Sequence, residues 1–499
     1  MKKYVDYMDE INSNELYKGL LGYGMFSDKL PPIFTSKNFY DYCIGVNPTF
    51  ADKGRQYVYY ENMRNINIPR TLGIPVPMAY QKLCKFISDN WSDIQKHFRE
   101  MTDKQVHKVS RIHIRKMYKK DYLFEMSYDN WKDDGTPENN LIYEKQYIVN
   151  ADISKCFPSI YTHSLSWALA GKSVAKANKK NKELWYNKID HLVQLNKDME
   201  THGLLIGPHV SNLLAEIILC CVDSELVNKG WEYVRNIDDY TCFVKSEEEG
   251  RNFLRDLQNE LRKYDLSLNH KKTKINKLPA AMTEQWIRKI KTITLLKEYG
   301  KVDYKNCQTY FDYAIEIADK ENGNASVLNY AIKTLSGLPL TDNAKKYERD
   351  IVFHLCILYP YLVPLLEEFV FDKCNVSVTD IEKLSRTLFA NGIDSKLYEQ
   401  ASYALYFALK YKFKLVTTVD ELINTGDCIL LLLGFLQFKR DKDKLAIRRF
   451  KDYAKTLAKD PGDLEKMWLF VYEVLPQSEL KDEWKVLKKA KVTFLKSIL

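Results

Sequence analysis

Arg235-Asn236-Ile237-Asp238-Asp239-Tyr240 places two adjacent carboxylates between two short apolar runs. The preceding run contains Tyr233 and Val234, and the following run, residues 240–244, reads Tyr-Thr-Cys-Phe-Val. Aromatic and β-branched residues are enriched in strands, so the pattern predicts a β-hairpin with Asp238 and Asp239 at its turn. Because a lone Asp-Asp pair is also common in solvated turns, the rest of the chain must decide its role.

A second acidic segment, Asp152-Ile153-Ser154-Lys155-Cys156-Phe157, follows the apolar run Tyr147-Ile148-Val149. Asp152 is therefore predicted at the tip of a strand. Carboxylates from different chain segments can hold two divalent cations about 3.5 to 4 Å apart, as two-metal phosphoryl transfer requires. We expect Asp152, Asp238 and Asp239 to be catalytic and to bind two Mg²⁺ or Mn²⁺ ions, with the carbonyl of Ile153 as a further ligand. The two segments indicate a nucleotide polymerase.

Residues between and after these segments are candidates for nucleotide binding. Gly207 would let the backbone approach a sugar or base pair, and Ser211, near the start of a predicted helix, could cap that helix or contact the nucleotide. Phe157 could lie beneath the sugar of an incoming nucleotide, where its ring would collide with a 2′-hydroxyl and favour deoxynucleotides. The alternative for Phe157 is a core phenylalanine after a strand.

Basic residues in three places could contact phosphates. Arg111, Arg115 and Lys116 lie on a predicted alternating strand, and guanidinium groups match phosphate oxygens. Lys272 follows a helix predicted over about residues 250–264 and could stabilise the leaving pyrophosphate. A lysine-rich stretch either touches a phosphate backbone or is a solvated insertion. It contains Lys172, Lys176, Lys179, Lys180, Lys182 and Lys188.

Composition favours a multidomain protein in a reducing compartment. The 499 residues are 45% hydrophobic with a net charge of +9, which permits a polyanionic partner but also suits a mildly basic enzyme. Ten cysteines lack metal-binding spacing, which favours the cytoplasm. No apolar run approaches the roughly 18 residues of a membrane span, and residues 429–436 are predicted to form a buried helix. We expect no membrane association.

The chain divides into three parts by pattern, with an α+β organisation. Residues 1–60 form an extension predicted to pack on the body, and residues 61–280 mix short strands with helices, including a helix predicted over 78–98. Residues 281–499 show helical stretches punctuated by prolines. Stacked helix pairs are the simplest architecture for that last part, although no fixed repeat period is legible.

Together the motifs resemble the palm of a reverse transcriptase over roughly residues 60 to 280. Residues 152–157 resemble the first catalytic motif, and residues 203–211 resemble the glycine/serine motif. Residues 236–239 resemble the metal-binding turn, and residues 268–274 the lysine motif that follows. This resemblance implies dNTPs as substrates and fingers and palm subdomains around the carboxylates.

Residues 152–163 and the tripeptide Ile206-Gly207-Pro208 look most like the bacterial abortive-infection, AbiK-like reverse transcriptases. That resemblance implies a HEAT-like helical domain in place of a thumb, cytoplasmic phage defence and homo-oligomeric assembly. It also implies DNA synthesis without a template from a tyrosine of the protein, with the DNA product covalently attached. The sequence does not identify the priming tyrosine. Its 34 tyrosines include Tyr4, Tyr7, Tyr17 and Tyr23 near the N-terminus.

Two departures from the wider superfamily favour synthesis without a template. Asn236 stands where an aromatic residue usually leads the catalytic turn, and Ile206 stands where many families carry Gln. Both positions usually lie near the primer or the templating base. One alternative is a templated RNA-dependent DNA polymerase of a defence or mobile element, and another is a non-catalytic palm kept as a scaffold.

Overall fold

The computed structural model describes residues 3–111, 114–116, 123, 135–279, 285–292, 297–298 and 300–497. Its N-terminal part contains α1 (Asp6–Asp9), α2 (Ser13–Tyr17), a π-helical segment (Lys18–Tyr23) and α3 (Lys37–Val46). Asn12 and Glu15 form a capping box that starts α2 by satisfying its free backbone N–H groups. Trp91 donates its indole N–H to the Ile11 carbonyl at 2.8 Å, so the extension is tied to the body.

A two-stranded hairpin follows, made of β1 (Tyr57–Met63) and β2 (Pro69–Pro75) in antiparallel register. The boundary predicted after residue 60 therefore falls inside β1. The helix predicted over 78–98 is two helices, α4 (Pro77–Asp89) and α5 (Trp91–Thr102). The break occurs at Asn90, whose backbone leaves the helical region and whose side chain donates to the Phe86 carbonyl at 2.8 Å, capping α4.

The central sheet has the strand order β4-β5-β3-β6 and is antiparallel throughout. Its strands are β3 (Tyr147–Asp152), β4 (Tyr233–Asn236), β5 (Asp239–Val244) and β6 (Lys274–Lys277). The associated helices are α6 (Glu138–Leu141), α7 (Cys156–Ser159), α8 (His163–Ala170), α9 (Lys172–Ala177), α10 (Trp185–Leu195), α11 (His209–Asn228) and α12 (Glu247–Arg262). Helices cover the sheet with side chains such as Phe253 and Leu257 of α12, which are fully buried. The predicted β4–β5 hairpin is confirmed.

Beyond the sheet, the regular elements of the described residues are helices, apart from the short ladder of β7 (Lys297–Glu298) and β8 (Lys301–Val302). The longer helices are α13 (Gln285–Thr292), α14 (Tyr304–Lys320), α15 (Ala325–Ser336), α16 (Asp342–Leu358), α18 (Val378–Asp394), α19 (Tyr398–Lys410), α21 (Cys428–Arg440) and α22 (Lys444–Leu457). The shorter ones are α17 (Asp372–Cys374), α20 (Val419–Thr425), α23 (Pro461–Lys466), α24 (Trp468–Val474) and α25 (Asp482–Lys489). Residues 360–371 form a 3₁₀ and then a π-helical turn, and Gln477–Glu479 is 3₁₀.

Apolar burial explains the most hydrophobic run of the chain. Every residue from Cys428 to Phe438 is buried in α21, as the sequence predicts. None of the described helices combines the length and the apolar character needed to cross a membrane. All ten cysteines are free, and nine of them are buried as small core residues.

The helical region packs back onto the hairpin and the N-terminal part. Glu399 of α19 accepts hydrogen bonds from the Asn62 amide at 2.5 Å and from the Met63 backbone N–H at 2.7 Å. Near the C-terminus, the Phe494 carbonyl accepts from the Thr35 N–H at 2.9 Å. Trp468 and Phe494 are fully buried and in edge-on contact. Segments distant in sequence thus share one core.

Candidate active site

Three carboxylates meet at one end of the central sheet. Asp152 ends β3 directly opposite Asp239, the first residue of β5, and Asp238 lies in the turn before it. The Ile153 N–H donates to the Asp238 carbonyl at 3.1 Å, which locks the hairpin turn to the end of β3. Like charges directly opposite in a sheet are destabilising. The meeting of these carboxylates across two strands is therefore a destabilising arrangement that a functional role would explain.

The hairpin turn holds Ile237 in a conformation that a β-branched residue rarely adopts. Its φ is +56°, in the left-handed region, whereas Asp238 is not among the residues of positive φ. A positive φ at the first central residue alone is typical of a type II′ turn, a position that usually carries Gly. Such a residue stores about 1 to 3 kcal/mol of strain, which surrounding contacts must hold.

A buried arginine supplies those contacts. Arg235 is fully buried, and its Nη1 donates to the Ile237 carbonyl at 2.8 Å. The same guanidinium binds both oxygens of Glu216 at 3.0 and 3.1 Å and both oxygens of Asp223, with the Arg235 Nη2 to Oδ2 distance 2.5 Å. Both carboxylates come from α11. Arg235 therefore fastens the turn to a helix beneath the sheet.

The N-terminal extension reaches the same cluster. The Tyr4 hydroxyl donates to Glu216 Oε1 at 2.6 Å in a buried contact. On the other side, the Tyr233 hydroxyl donates to Asp223 Oδ1 at 2.7 Å. A chain of hydrogen bonds thus runs from Tyr4 through Glu216 and Arg235 to the turn that carries Asp238. Sequence reasoning missed this cluster, because its members are scattered and only the fold brings them together.

Asp152 is balanced by residues of the segment after α12. Lys272 Nζ donates to Asp152 Oδ2 at 2.6 Å, and the Asn269 amide donates to Oδ1 at 3.0 Å. The Asn269 backbone N–H also donates to the Asp152 carbonyl at 2.7 Å. The Lys272 side chain is half exposed, whereas Asp152 is buried. Lys272 therefore binds the carboxylate of Asp152 and would compete with a metal ion for it.

Crowding of the carboxylates favours their protonated forms. Burial and the neighbouring Asp152 raise the pKa of Asp238, with Lys272 and Arg70 acting in the opposite direction. Although solvent reaches Asp239, loss of hydration and then the charges of Asp238 and Asp152 raise its pKa to about 7. Raised carboxyl pKa values mark a site where additional positive charge would be stabilised.

The donor set suits hard divalent cations. Within the described parts of the chain, no group of three or more His, Cys, Asp or Glu side chains is already arranged to hold a metal ion. Asp152, Asp238 and Asp239 nevertheless offer only oxygen ligands, which Mg²⁺ and Mn²⁺ prefer. Their mutual repulsion and raised pKa values fit the binding of such ions, for which the Lys272 ammonium would have to move aside.

The predicted nucleotide-binding residues Gly207, Ser211 and Phe157 lie in different environments. Gly207 has a φ of +124°, and a Cβ there would lie 3.5 Å from the Ser27 Cβ. Ser211 is buried in the first turn of α11 and lines a small cavity with Tyr80. Phe157 in α7 is partly buried against the core, and its carbonyl accepts from the Leu204 N–H at 2.9 Å.

Arg111, Arg115 and Lys116 do not form the predicted strand. Of that segment, residues 111 and 114–116 are described, and none lies in a strand; Ser110 alone makes a bridge, to Arg235. Arg111 and Arg115 are buried, and their contacts include the Gly135 carbonyl and the Tyr7 ring respectively. Lys116 Nζ donates to Glu15 Oε1 at 2.6 Å. The N-terminal extension thus contacts Arg115 through Tyr7 and Lys116 through Glu15.

A cation that sequence reasoning missed is Arg70. It lies on the exposed part of β2, paired in register with Asn62 of β1, and its charge lowers the pKa of Asp238 against the larger effects of burial and Asp152. Its guanidinium therefore lies within electrostatic range of Asp238. The sequence analysis lacked the β1–β2 hairpin, in which two strands joined by residues 64–68 place Arg70 opposite Asn62.

Residues 61–299 match the model of the family described as reverse transcriptase (RNA-dependent DNA polymerase). The chain carries a reverse transcriptase domain. This domain contains the whole carboxylate cluster, and its family consists of nucleotidyltransferases of the polymerase class. The predicted mixed helix-and-strand domain of this type is confirmed, whereas its AbiK-like placement stays a prediction.

Solved structures similar to the chain include telomerases. Apo telomerase from Candida tropicalis aligns with a TM-score of 0.34 and 12% identity, over 76% of this chain and 70% of that chain. A form truncated from its C-terminal domain gives 0.29 and 15%, over 49% of this chain and 54% of that chain, so only about half of it is spanned. Telomerase from Candida albicans with a fragment of telomeric RNA gives 0.28 and 10%, over 82% and 68%. No curated protein matches the sequence.

Proposed function

We propose that the protein is a DNA polymerase that joins dNTPs at the site formed by Asp152, Asp238 and Asp239. The observation that carries this proposal is the meeting of three carboxylates at the end of β3 and the β4–β5 turn within a reverse transcriptase domain. These residues, with the Ile153 carbonyl, would hold two Mg²⁺ or Mn²⁺ ions. Such ions activate the attacking 3′ oxygen and neutralise the leaving pyrophosphate.

The remaining groups of the site have complementary tasks. Arg70, whose charge acts on Asp238, is our candidate to bind the triphosphate, and it takes the role predicted for Arg111, Arg115 and Lys116. When substrate binds, Lys272 leaves Asp152. Its Nζ then donates a proton to the leaving pyrophosphate. Phe157 selects against a 2′-hydroxyl, and Gly207 and Ser211 shape the nucleotide pocket.

Synthesis without a template is supported by the packing around Ile206. The Gly73 N–H of β2 donates to the Ile206 carbonyl at 2.9 Å, and a Cβ on Gly73 would lie 2.8 Å from Leu205. Two backbones in direct hydrogen bond leave no space between them for a base pair. Because the position of Ile206 usually lies near the primer or the templating base in the wider superfamily, this packing supports the proposal that nucleotides are added without a template strand.

We also propose that the protein belongs to the AbiK-like group and acts in cytoplasmic phage defence as a homo-oligomer, with its DNA attached to a tyrosine. The helices that follow residue 304 support a HEAT-like domain in place of a thumb. Of the N-terminal tyrosines, Tyr4 and Tyr17 are buried, whereas Tyr7 and Tyr23 are partly exposed. Priming from Tyr4 or Tyr17 would require the extension to open.

Incubation of the purified protein with Mg²⁺ and labelled dNTPs, without template or primer, tests this function. We expect label on the protein and a nuclease-sensitive added mass on the intact chain. A folded sample that incorporates label only after an RNA template and primer are added would instead identify a templated RNA-dependent DNA polymerase. A folded sample that incorporates none under either condition would contradict the polymerase proposal itself.

A further inference from the structure

A surface cleft lies apart from the carboxylates, between α8, α9 and α10. It encloses about 490 Å³, within the range of about 300 to 1,000 Å³ typical of ligand sites. Tyr161, His163 and Trp167 contribute aromatic and imidazole rings to its lining, and Lys176, Lys179 and Lys182 contribute ammonium groups. We call it the Trp167 cleft. The lysines belong to the stretch whose alternatives were a phosphate-binding segment and a solvated insertion.

Positive charge in the Trp167 cleft is not neutralised by the protein. Residues 172–188 hold six lysines and a single acid, Glu183. Lys176, Lys179 and Lys182 are exposed, and none of them has a carboxylate within ion-pair distance among the described residues. Asp190, the acid that lines the cleft, is engaged by His163 Nδ1 and by the Gln194 amide at 2.7 Å. The accessible charge is therefore that of the lysines.

The rings are arranged to offer partly exposed aromatic surfaces. Tyr161 contacts His163 edge-on at 4.7 Å between ring centroids and Trp167 edge-on at 5.6 Å. Lys172 Nζ lies 3.9 Å from the centroid of the Trp167 ring, and it donates to the Lys263 carbonyl at 3.1 Å. Lys172 thus lies over one face of the indole. Neither Trp167 nor Tyr161 is fully buried, so their remaining surface can meet a ligand.

We propose that the Trp167 cleft binds single-stranded nucleic acid, with bases against Trp167 and Tyr161 and phosphates on Lys176, Lys179 and Lys182. Aromatic platforms beside a basic groove suit single strands, because every base has a π face and every nucleotide has a phosphate. The lysines extend from α9 into the segment before α10, which fits several successive phosphates better than one nucleotide. This site is independent of the proposed polymerase activity, although DNA made at the carboxylates would be one source of its ligand.

Fluorescence anisotropy with a labelled oligothymidylate and the full-length protein, in EDTA and without dNTPs, tests the proposal. The cleft variant combines Lys176→Gln, Lys179→Gln and Lys182→Gln. A matched variant combines Lys442→Gln, Lys444→Gln and Lys459→Gln, which removes the same charge from exposed positions of the helical region. Trp167→Leu removes the indole while keeping apolar bulk, and a photoreactive oligonucleotide maps the contact by peptide sequencing.

We expect the cleft variant to lose tenfold or more in affinity and the matched variant to lose much less. The salt dependence of the cleft variant should weaken by about 2 units, since each phosphate contact on a single strand contributes about 0.7. Trp167→Leu should weaken binding about fivefold or more, and cross-links should fall within residues 161–182. Equal losses in the two lysine variants, cross-links elsewhere, no binding by the wild-type protein, or displacement by free dTTP as effective as by the strand would each overturn the proposal.

Discussion

At the scale of single residues, the contact between Asp152 and Lys272 governs the charge balance of the candidate active site. Three carboxylates face the two cations Lys272 and Arg70, so the cluster keeps an excess of negative charge when all groups are ionised. That excess raises the pKa of Asp239 to about 7 together with its loss of hydration. A divalent ion would relieve the repulsion more fully than a proton, because it brings two charges.

Asp238→Asn should abolish DNA synthesis while leaving the fold intact. We expect incorporation to fall by at least about a thousandfold, because one metal ligand loses its charge. Stability should stay the same or rise slightly, since Asp238 is repelled by Asp152. Incorporation of labelled dNTP and the thermal midpoint measure the two effects. Asp93→Asn, on the exposed face of α5, is the control. Unchanged incorporation by Asp238→Asn would show that synthesis does not depend on this carboxylate.

Lys272→Met should separate metal binding from catalysis. Removal of the ammonium that contacts Asp152 Oδ2 should lower the Mn²⁺ concentration needed for half-maximal binding several-fold, measured by calorimetry. The rate at saturating metal should nevertheless fall about 10- to 100-fold, because a proton donor is lost. Lys271→Met is the matched control, since Lys271 is exposed. If Lys272→Met weakened metal binding, the competing-cation interpretation would be wrong.

At the scale of elements, the sequence predicts local structure but does not predict contacts between segments that are distant in the chain. The β4–β5 hairpin follows from two β-rich runs around Asp238 and Asp239, and the start of α11 at His209 follows from Gly207-Pro208. The break at Asn90 escaped prediction because the apolar spacing continues across it. The roles of Arg70 and Arg235 could not be predicted from the sequence. Arg70 is placed by the β1–β2 pairing, and Arg235 of β4 by its contacts with α11.

The N-terminal extension should influence the catalytic turn through Tyr4. Tyr4→Phe removes only the hydroxyl that donates to Glu216, the partner of Arg235, and should cost about 1.5 to 3 kcal/mol of stability because the acceptor is charged. We also expect kcat to fall with little change in KM for dNTP, since the turn is loosened and the nucleotide pocket is kept. Denaturant unfolding and steady-state kinetics measure these effects. Tyr143→Phe, 74% exposed, is the control. A stability loss with unchanged kcat would show that Tyr4 only supports the fold.

At the scale of the whole molecule, carboxylates join the helical region to the β1–β2 hairpin and to Arg55 just before it. Glu399 binds Asn62 and Met63 of β1, while Arg55 pairs with Glu465 at 3.0 Å and with Glu483. The hydrogen bonds of Glu399 and the ion pairs of Arg55 differ in charge balance. Glu465 and Glu483 are matched by a cation, whereas the contacts of Glu399 on β1 are a neutral amide and a backbone N–H. Burial of Glu399 without a cation is therefore the feature that rising pH should make unfavourable.

Glu399→Gln should flatten the loss of stability towards alkaline pH. Burial raises the pKa of Glu399 from 4.5 to about 7, so the folded protein binds its proton more tightly than the unfolded chain does. Its contribution is complete below about pH 4.5 and is lost as pH rises through 7, amounting to about 3 kcal/mol. Urea unfolding between pH 5 and about 8 measures this, and burial of Glu348 and Asp427 acts in the same direction. Glu316→Gln, on an exposed face of α14, should keep the wild-type slope. Equal slopes in wild type and Glu399→Gln would mean that the hairpin holds Glu399 ionised.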